Sequence, residues 1–388
     1  MKHNFTWGVS AHTINLVFSR PLRLIAPFSD HCKALQICYL SSRMAQAGKK
    51  AALIGSGNWG SAIARIVGAT TRDLPDFQSE VKMWVFPEKV NGRDLGDIIN
   101  TEHENVKYLP GFKIPENVVA CPDVIETIKG ADILIFVVPH QFIARICEQI
   151  KDHIKPGVFG ISLIKGMDVK DGNIRLISEV ISNALSIDMS VLMGANVAKD
   201  VAQEDFCEST IGCRSTEQGD LLKKLFHSPT FQIRIIPDLI TVELCGALKN
   251  IVAVAAGFCD GLQYGTSTKA AVLRIGLGEM WQFIKIFGGQ DSISLLESCG
   301  VADLIATCFG GRNRRVSEAF VTSGKSFEVL EAEMLDGQKL QGPLTAKEVH
   351  EYLTKEGKTD QFPLFNVVHS ICYEGLPPSD LLKSIAKL

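Results

Sequence analysis

The chain has 388 residues, of which 46% are hydrophobic and 21% charged, and its formal net charge is -3 at pH 7. This length predicts two domains, the apolar content excludes wholesale disorder, and the near-neutral charge excludes a bulk basic field that would bind nucleic acid or an anionic membrane. We therefore expect a small-molecule partner, no nucleic-acid partner and no transmembrane segment, because apolar runs such as ILIFVV are much shorter than the roughly 18 residues of a span.

The first 47 residues differ in composition from the rest. They carry several basic residues against one acid, Asp30, with scattered serines and no helical or strand period. This composition is typical of an organelle transit peptide. The alternative, which we favour, is an extended translation start or low-complexity leader, because Met44 could itself begin the chain. Residues 1–47 are therefore treated as a leader outside the fold.

From Lys49 onward, short apolar runs alternate with amphipathic stretches. The runs AALIG, VKMWVF, VVAC, ILIFVV, FGISLI and SVLMG have the pattern of buried strands, and SAIARIVGA, DVIETIKGA, QFIARICEQI and IRLISEVISNAL repeat apolar residues at helical spacing. This alternation predicts an α/β fold with a Rossmann-type, doubly wound parallel sheet. Two more strand-like segments, STIGC and FQIRII, precede Pro237, where the strand signals stop.

The sequence after Pro237 predicts only helices. They are expected at Leu239–Phe258, Thr268–Phe287, Ser292–Thr307, Arg314–Thr322, Phe327–Leu335, Ala346–Lys355 and Pro363–Tyr373. We therefore predict a Rossmann-type domain over residues 48–237 and an all-α C-terminal domain over residues 238–388. The eleven cysteines include no CxxC motif and no Cys/His cluster at zinc-ligand spacing, so reduced thiols and no metal site are expected.

A glycine-rich loop directly follows the strand AALI. In GSGNWG, the residues Gly55, Gly57 and Gly60 have the G-x-G-x-x-G spacing, and a helix is expected to begin at about Asn58. In this context the first glycine permits a tight turn, the second lets backbone N–H groups approach a pyrophosphate, and the third lets the helix pack close to the strand. The segment therefore predicts a dinucleotide site rather than a plain turn.

The next strand, VKMWVF, ends in Phe86, where an acid commonly holds the adenosine ribose. Phe86 is interpreted either as lining the adenine or as an ordinary core aromatic, and the sequence favours neither. No arginine directly follows the strand to meet a 2′-phosphate, which favours NAD over NADP. Lys89 and Arg93 lie close enough to keep NADP as an alternative.

A lysine interrupts the apolar pattern of ELCGALKNIVAVAAGF. On a helix, the neighbours of Lys249 are Cys245, Gly246, Val252 and Ala253, all small or apolar. Burying an ammonium costs several kcal/mol unless it is paired or neutralised. Lys249 therefore either extends to the surface or lines a site where a ligand supplies oxygen atoms, and we favour the site.

Three other polar residues have a comparable setting. Lys165 follows the strand GISLI, at the carboxyl end of a strand, where ligands bind in open α/β sheets. Asp303 and Thr307 are four residues apart and are expected to share a helix face amid apolar neighbours. The alternatives are a solvated turn lysine and a structural Asp–Thr pair.

The segment GGRNRR sets four polar residues at the start of a helix. Backbone amides and a guanidinium there form an anion site suited to a phosphate monoester. Arg312 and Asn313 are predicted to face the site, and Arg314 and Arg315 are predicted to face the surface.

In combination, these segments resemble one known family. GSGNWG, VVPHQF, SLIKG, VLMGAN, ELCGALKN, GVADLIATCFGGRNRR and GQKLQGP stand in this order over about residues 49–375 and are similar to the eukaryotic cytosolic NAD-dependent glycerol-3-phosphate dehydrogenases. The resemblance implies reversible reduction of dihydroxyacetone phosphate to sn-glycerol 3-phosphate by NADH, which links glycolysis, glycerolipid synthesis and the cytosolic NAD pool. It also implies NAD as cofactor, a homodimer and a cytosolic location.

The resemblance also implies roles for individual residues. The cofactor positions are Gly55, Ser56, Gly57, Asn58, Trp59, Gly60, Phe86, Phe142, Ala198, Arg312, Lys339 and Gln341. The catalytic positions are Lys249, Lys165, Asn250, Asp303 and Thr307, and the substrate contacts are Lys165, Lys249, Arg312 and Asn313. These roles agree with the chemistry, because hydride addition to a carbonyl carbon creates an alkoxide that a cationic lysine stabilises and protonates.

The sequence departs from the family pattern at a few positions. Thr266 and Ser267 in YGTSTKAA stand where an Asp and an Asn are expected, and Pro87 stands where an acid follows Phe86. Two alternatives to the dehydrogenase remain at this point. One is another hydroxyacid or phosphosugar dehydrogenase with the same architecture, and the other is a slow NAD-binding regulator of a membrane partner.

Overall fold

The computed structural model describes residues 48–170, 172–335 and 337–386, so the predictions for the leader lie outside the described residues. The strands are β1 Ala51–Ile54, β2 Val81–Trp84, β3 Lys89–Val90, β4 Arg93–Asp94, β5 Val118–Cys121, β6 Ile133–Phe136, β7 Phe159–Ser162, β8 Met167–Lys170, β9 Asn173–Leu176, β10 Asp188–Met193, β11 Cys207–Gly212 and β12 Phe231–Ile236.

The helices interleave with the strands up to β12 and then follow one another. They are α1 Asn58–Asp73, α2 Leu95–Glu102, α3 Val124–Ile128, α4 Ile143–Ile150, α5 Ile177–Leu185, α6 Ala198–Ala202, α7 Thr216–Phe226, α8 Leu239–Gly261, α9 Thr266–Ile286, α10 Asp303–Gly310, α11 Arg312–Ser323, α12 Phe327–Leu335, α13 Gln341–Lys355, α14 Pro363–Tyr373 and α15 Leu381–Ile385.

All eight predicted strands lie in one sheet, in the order β12-β11-β10-β7-β6-β1-β2-β5. Six adjacent strands of this sheet are mutually parallel, namely β10, β7, β6, β1, β2 and β5. The strand β11 pairs antiparallel with β10 and parallel with β12. The sheet is therefore dominated by parallel pairs but is not wholly parallel. The strand order reverses between β1 and β6, and ligands of such sheets bind at the carboxyl ends of the strands at this point.

The predicted boundary between two domains falls between β12 and α8. Among the described residues, the strands end at Ile236 and all later elements are helical, although residues from Gly48 onward form one compact unit. The division into residues 48–237 and 238–388 therefore stays a prediction.

Most predicted helices have bounds within a few residues of those in the structure, and three segments differ in the type of structure or by more residues. The segment IRLISEVISNAL begins with β9, because its buried residues Ile174 and Leu176 alternate with exposed ones and pair with β8; the helix begins only at Ile177. The expected helix Ser292–Thr307 is a 3-10 turn, a π-helical turn and then α10. Here Gly300 allows a close approach, since a Cβ would lie 2.2 Å from the carbonyl oxygen of Leu295.

The third difference lies at the start of α13, which begins at Gln341 rather than at Ala346. Gly342 and Pro343 predict a break, but they occupy the first turn of this helix. A proline there loses no intrahelical hydrogen bond, because the first N–H groups of a helix have no partner within it.

The central helix of the molecule is α8, whose 23 residues are nearly all buried. It has the length and mean hydropathy, 1.7, of a membrane span, but 94% of that stretch is buried inside the protein. Glycines let other elements approach it closely, since a Cβ at Gly246 would lie 2.5 Å from the sulfur of Met193, and one at Gly257 would lie 2.3 Å from the carbonyl oxygen of Arg314. One helix thus packs against both the sheet and the helices that follow.

A buried carboxyl group joins two of the C-terminal helices. Glu279 of α9 accepts hydrogen bonds from the backbone N–H groups of Leu364 (2.7 Å) and Phe365 (2.9 Å), at the first turn of α14. Burial raises the pKa of Glu279 to about 7, and the two N–H donors oppose that shift.

We predict that Glu279→Gln changes the dependence of stability on pH. The folded protein holds a proton on Glu279 more tightly than the unfolded chain does, so this group stabilises the fold at acidic pH and loses that contribution as the pH rises through about 7. Glutamine does not titrate, so the variant does not lose this contribution as the pH rises. The free energy of unfolding of the variant minus that of wild type should therefore be larger at pH 8 than at pH 5, by about 2 kcal/mol. Urea unfolding at both pH values measures this, and an equal difference at both would contradict it.

Candidate active site

The glycine-rich loop between β1 and α1 has the geometry that its spacing predicts. Gly55 has a φ of +122°, and a Cβ there would lie 2.5 Å from the carbonyl oxygen of Val137. A Cβ at Gly60 would lie 2.4 Å from the carbonyl oxygen of Gly55, whereas one at Gly57 would meet no atom of the residues described here within 4 Å. The outer glycines therefore close the turn and bring helix and strand together, and the middle one leaves open space beside the backbone.

The first turn of α1 supplies positive electrostatic potential to that open space. Gly57 is the residue that precedes the helix, and as a glycine it has no side chain to cap the helix N-terminus. Backbone N–H groups and the helix dipole favour an anion at such a position. The loop and helix therefore fit the pyrophosphate of a dinucleotide.

Two exposed aromatic residues flank this loop. Phe86 lies just beyond β2, is 64% exposed and contacts Trp84 edge to face, with 6.3 Å between the ring centroids. It is not a core aromatic, which excludes one of the two interpretations made from the sequence. Phe142 lies beyond β6 and is 50% exposed. Because β6 and β2 are the two neighbours of β1, both rings lie at the same edge of the sheet.

Lys249 is buried, as its apolar neighbours predict, and is only 4% exposed. Its ammonium donates to a carboxylate oxygen of Asp303 and, at 2.7 Å, to the hydroxyl of Thr307. The predicted shared face of Asp303 and Thr307 is confirmed, since the Thr307 hydroxyl is 3.5 Å from the same carboxylate oxygen. Helices α8 and α10 are thus joined by a buried, hydrogen-bonded ion pair.

Lys165 reaches the same carboxylate from the loop after β7. Its ammonium is 3.0 Å from the second oxygen of Asp303, and also 3.0 Å from the side-chain oxygen of Asn196 and from the carbonyl oxygen of Gly194. The solvated turn lysine that the sequence left open is therefore excluded. The carboxylate of Asp303 lies between two lysine side chains, which leaves one positive charge in excess when Lys249 is protonated.

These charges act on one another. Burial lowers the pKa of Lys249 to about 7, the Asp303 carboxylate opposes that shift, and the Lys165 ammonium adds to it. A lysine with a lowered pKa gives up its proton near neutral pH and is therefore suited to proton transfer. Buried and partnered in this way, it has the features of a catalytic group.

Asn250, the next residue on α8, belongs to a second network. Its side-chain oxygen accepts a hydrogen bond from Asn313 at 2.9 Å, and the side-chain oxygen of Asn313 accepts one from the backbone N–H of Gly342 at 2.9 Å. Asn313 is only 7% exposed, so its side chain primarily links α8, α11 and α13.

The start of α11 is the second helix N-terminus at the site. Gly311 precedes it and no side chain caps it. Arg312 is exposed, and its guanidinium donates to the side chain of Gln338 at 2.9 Å. Of the two arginines predicted to face the surface, Arg315 is exposed but Arg314 is half-buried, because it pairs with the carboxylate of Asp260. The prediction for Arg314 was wrong, since Asp260 at the end of α8 supplies a counter-charge.

The remaining cofactor positions implied by the resemblance are spread around the loop and the helix starts. Ala198 begins α6 and Gln341 begins α13. Lys339 is exposed, and its ammonium donates to Glu331 at 2.7 Å. The positions Ser56, Asn58 and Trp59 lie in the glycine-rich loop and first turn of α1, with Ser56 buried and Asn58 exposed.

Asn196 is a site residue that was not predicted from the sequence. It is 6% exposed, accepts from Lys165 and donates to the hydroxyl of Ser209 at 2.7 Å. Asn196 follows β10 in VLMGAN, at the carboxyl end of a strand. The rule that indicated Lys165 therefore also applies to Asn196.

Comparisons with known proteins agree with this geometry. The chain matches the family models of the NAD-dependent glycerol-3-phosphate dehydrogenase N-terminus over residues 50–219 and C-terminus over residues 238–383. It is 60% identical to the cytoplasmic NAD(+) glycerol-3-phosphate dehydrogenase of Rattus norvegicus and 59% identical to that of Homo sapiens, each over 338 residues, 87% of this chain and 97% of the relative. A glycerol-3-phosphate dehydrogenase structure from Saccharomyces cerevisiae is 43% identical with a TM-score of 0.82, over 87% of this chain and 99% of that one. The chain belongs to the family of NAD-dependent glycerol-3-phosphate dehydrogenases.

Proposed function

We propose that the chain catalyses the reversible reduction of dihydroxyacetone phosphate to sn-glycerol 3-phosphate, with NAD as the cofactor. The observation that carries this proposal is the buried cluster of Lys249, Asp303 and Lys165. It lies in a protein with a dinucleotide loop and a second helix N-terminus suited to a phosphate. Bound NADH supplies the hydride that the substrate carbonyl carbon receives.

Lys249 acts on the oxygen of that carbonyl. As the carbon gains the hydride, the oxygen becomes an alkoxide, and the ammonium of Lys249 stabilises the negative charge and transfers a proton to it. Solvent returns a proton to the lysine. In the opposite direction the neutral amine accepts the hydroxyl proton, and a pKa lowered to about 7 makes both forms accessible near neutral pH.

Asp303 and Thr307 orient the ammonium of Lys249. Both accept hydrogen bonds from it, which fixes its position on the helix face. Asp303 also compensates the charge of Lys165. A second cation is therefore present beside the carbonyl oxygen, and neither lysine is left without a counter-charge.

Arg312 binds the phosphate of the substrate. Its guanidinium at the start of α11 adds a charge-assisted hydrogen bond to the field of an uncapped helix N-terminus. Asn313 supports this contact from beneath, through its links to Asn250 and Gly342. Binding energy from the phosphate, which does not react, orients the carbonyl for reduction.

Three further properties belong to the proposal. A homodimer is proposed from the family resemblance. A cytosolic location is supported by the relatives named cytoplasmic. The division at Pro237 is supported by the change from strands to helices. Sedimentation of the purified chain tests the first, and cell fractionation tests the second.

One assay tests the reaction itself. NADH oxidation by the purified protein should be fast with dihydroxyacetone phosphate and far slower with pyruvate, a sugar phosphate or unphosphorylated dihydroxyacetone. NADH binding without turnover of the phosphate ester would favour the slow NAD-binding regulator. Turnover of another substrate from this set in its place would favour the other dehydrogenase class.

We predict that Lys249→Met lowers the turnover number by about 1,000-fold or more, because the methionine keeps the side-chain volume but neither stabilises nor protonates the alkoxide. Steady-state kinetics with dihydroxyacetone phosphate measures this. The dissociation constant of NADH and the melting temperature serve as controls for a folded cofactor site. Turnover close to wild type would show that another group carries the charge.

We predict that Arg312→Ala selectively harms the use of the phosphorylated substrate. At saturating NADH, which removes any effect of a weakened cofactor contact, the value of kcat/KM for dihydroxyacetone phosphate should fall by about 100-fold, whereas that for unphosphorylated dihydroxyacetone should change little. Arg315→Ala is the matched control, because it removes an exposed arginine from the same helix. Equal losses in the two variants, or equal losses for the two substrates, would refute a phosphate contact at Arg312.

A further inference from the structure

Asn105 lies in the segment after α2 and is completely buried. Its side-chain nitrogen donates to the carbonyl oxygen of Ser56 at 2.7 Å and to the hydroxyl of Ser61 at 2.9 Å, and its side-chain oxygen accepts from the backbone N–H of Tyr108 at 3.1 Å. Because no part of Asn105 reaches the surface, it does not touch a bound ligand. Its contacts instead join the glycine-rich loop to a distant segment of the chain.

The carbonyl of Ser56 is held from the protein interior by two donors. Besides Asn105, the hydroxyl of Ser61 donates to it at 3.2 Å. A carbonyl oxygen has two lone pairs, so this oxygen is fully satisfied on its inner side. The orientation of the peptide between Ser56 and Gly57 is thereby fixed.

That orientation determines where the N–H of Gly57 points. In a trans peptide, the C=O and the following N–H point in opposite directions, and the described residues contain no cis peptide bond. With the Ser56 carbonyl directed inward to Asn105, the Gly57 N–H is directed outward. Gly57 is also the glycine of the loop at which a Cβ would meet no atom within 4 Å in the part of the chain that the structure describes.

We propose that Asn105 is a positioning residue that aims the Gly57 N–H at the pyrophosphate of the dinucleotide. A peptide unit next to a glycine has few steric restraints of its own, because glycine adopts both positive and negative φ. The loop therefore needs an external donor to hold one orientation before the cofactor arrives. This inference rests on the NAD site of the proposed function and not on the identity of the substrate.

A second contact supports this role. The side chain of Asn58, the first residue of α1, donates to the carbonyl oxygen of Tyr108 at 2.7 Å. The segment Asn105–Tyr108 thus holds the loop at Ser56 and the helix at Asn58, on both sides of Gly57. Order in the loop before binding lowers the entropy cost of binding the cofactor.

The molecule contains a matched control at the opposite end of α1. The side-chain nitrogen of Asn117 donates to the carbonyl oxygens of Gly68 and Ser79, at 2.9 and 2.6 Å, and to the hydroxyl of Thr71 at 3.2 Å. This amide also ties α1 to distant backbone. Gly68 lies in the second half of the 16-residue helix, far from the glycine-rich loop.

The test uses the isosteric variants Asn105→Asp and Asn117→Asp of the full chain. Aspartate keeps the volume and the acceptor of asparagine. Wild type and variants are compared at pH 9, because a buried carboxyl group that is still protonated donates through its O–H, whereas the ionised carboxylate places an oxygen opposite the accepting carbonyl, so that the donor is lost. For Asn105→Asp, the dissociation constants of NADH and of ADP-ribose should rise by about tenfold or more. A change of this size is typical when one hydrogen bond between uncharged groups is lost and a repulsive contact takes its place. Adenosine, which has no pyrophosphate, should bind with unchanged affinity.

The kinetic readout separates positioning from a general loss of structure. At saturating NADH, the turnover number of Asn105→Asp should stay within about threefold of wild type, because the chemical step does not involve this loop. Asn117→Asp should lower the melting temperature without changing the affinity for NADH. Ser61→Ala removes only one of the two donors to the Ser56 carbonyl, so it should weaken NADH binding by less than Asn105→Asp does. It also substitutes for Asn105→Asp if that variant does not fold.

Three results would overturn the inference. The first is wild-type NADH affinity in Asn105→Asp or, if that variant does not fold, in Ser61→Ala. The second is a loss of adenosine affinity as large as the loss of NADH affinity in the same variant. The third is a loss of NADH affinity in Asn117→Asp as large as that in Asn105→Asp. Failure of the proposed function is distinguishable, because a wild-type chain that does not reduce dihydroxyacetone phosphate still reports on NADH binding in the same measurement.

Discussion

The carboxylate of Asp303, buried between the ammonium groups of Lys165 and Lys249, is the interaction on which the site depends. Each of its oxygens faces a different lysine, one from the loop after β7 and one from α8. Taking Asp303 and Lys249 out of water, with Lys165 half-buried beside them, is costly, and the cost is offset only where each group has a partner at hydrogen-bond distance. The arrangement therefore requires that the sheet, α8 and α10 have one fixed relation to one another.

That relation is produced by the packing of α8. The helix lies between the carboxyl-terminal part of the sheet and the later helices, and glycines remove the side chains that would keep its neighbours apart. A Cβ at Gly246 would overlap Met193 of β10, and one at Gly342 of α13 would overlap Val254 of α8. Because interiors are close-packed, these contacts leave little freedom for the helix to shift. The same contacts bring Lys249 to the end of the sheet where Lys165 follows its strand.

Periodicity predicted the regular elements well and their junctions less well. The eight predicted strands of the large sheet are confirmed. The strands β1, β6 and β7 are buried at every residue, and parallel strands buried on both faces are near-continuous apolar runs, which a sequence displays directly. The strand β9 was hidden because its alternating residues run without a break into α5. The π-helical turn Ser298–Ala302 was hidden because it keeps roughly the apolar spacing of a helix. The reversal of β11 could not be read from its composition, since strand direction depends on pairing with β10 rather than on residue type.

The sequence by itself determined which chemical groups the site contains. Local spacing was sufficient for the glycine loop, for the polar face of Asp303 and Thr307, and for the conclusion that a lysine among small apolar residues has a special role. Only the tertiary structure decided how these groups are paired. It determined that Arg314 pairs with Asp260 and that Asn313 links three helices. It also determined that Asn105 supports the glycine-rich loop and that Asn196 supports Lys165. The physical reason is that hydrogen bonds and ion pairs require distances of about 3 Å between atoms, and residues separated by about 30 to 140 positions reach such distances only after the chain has packed.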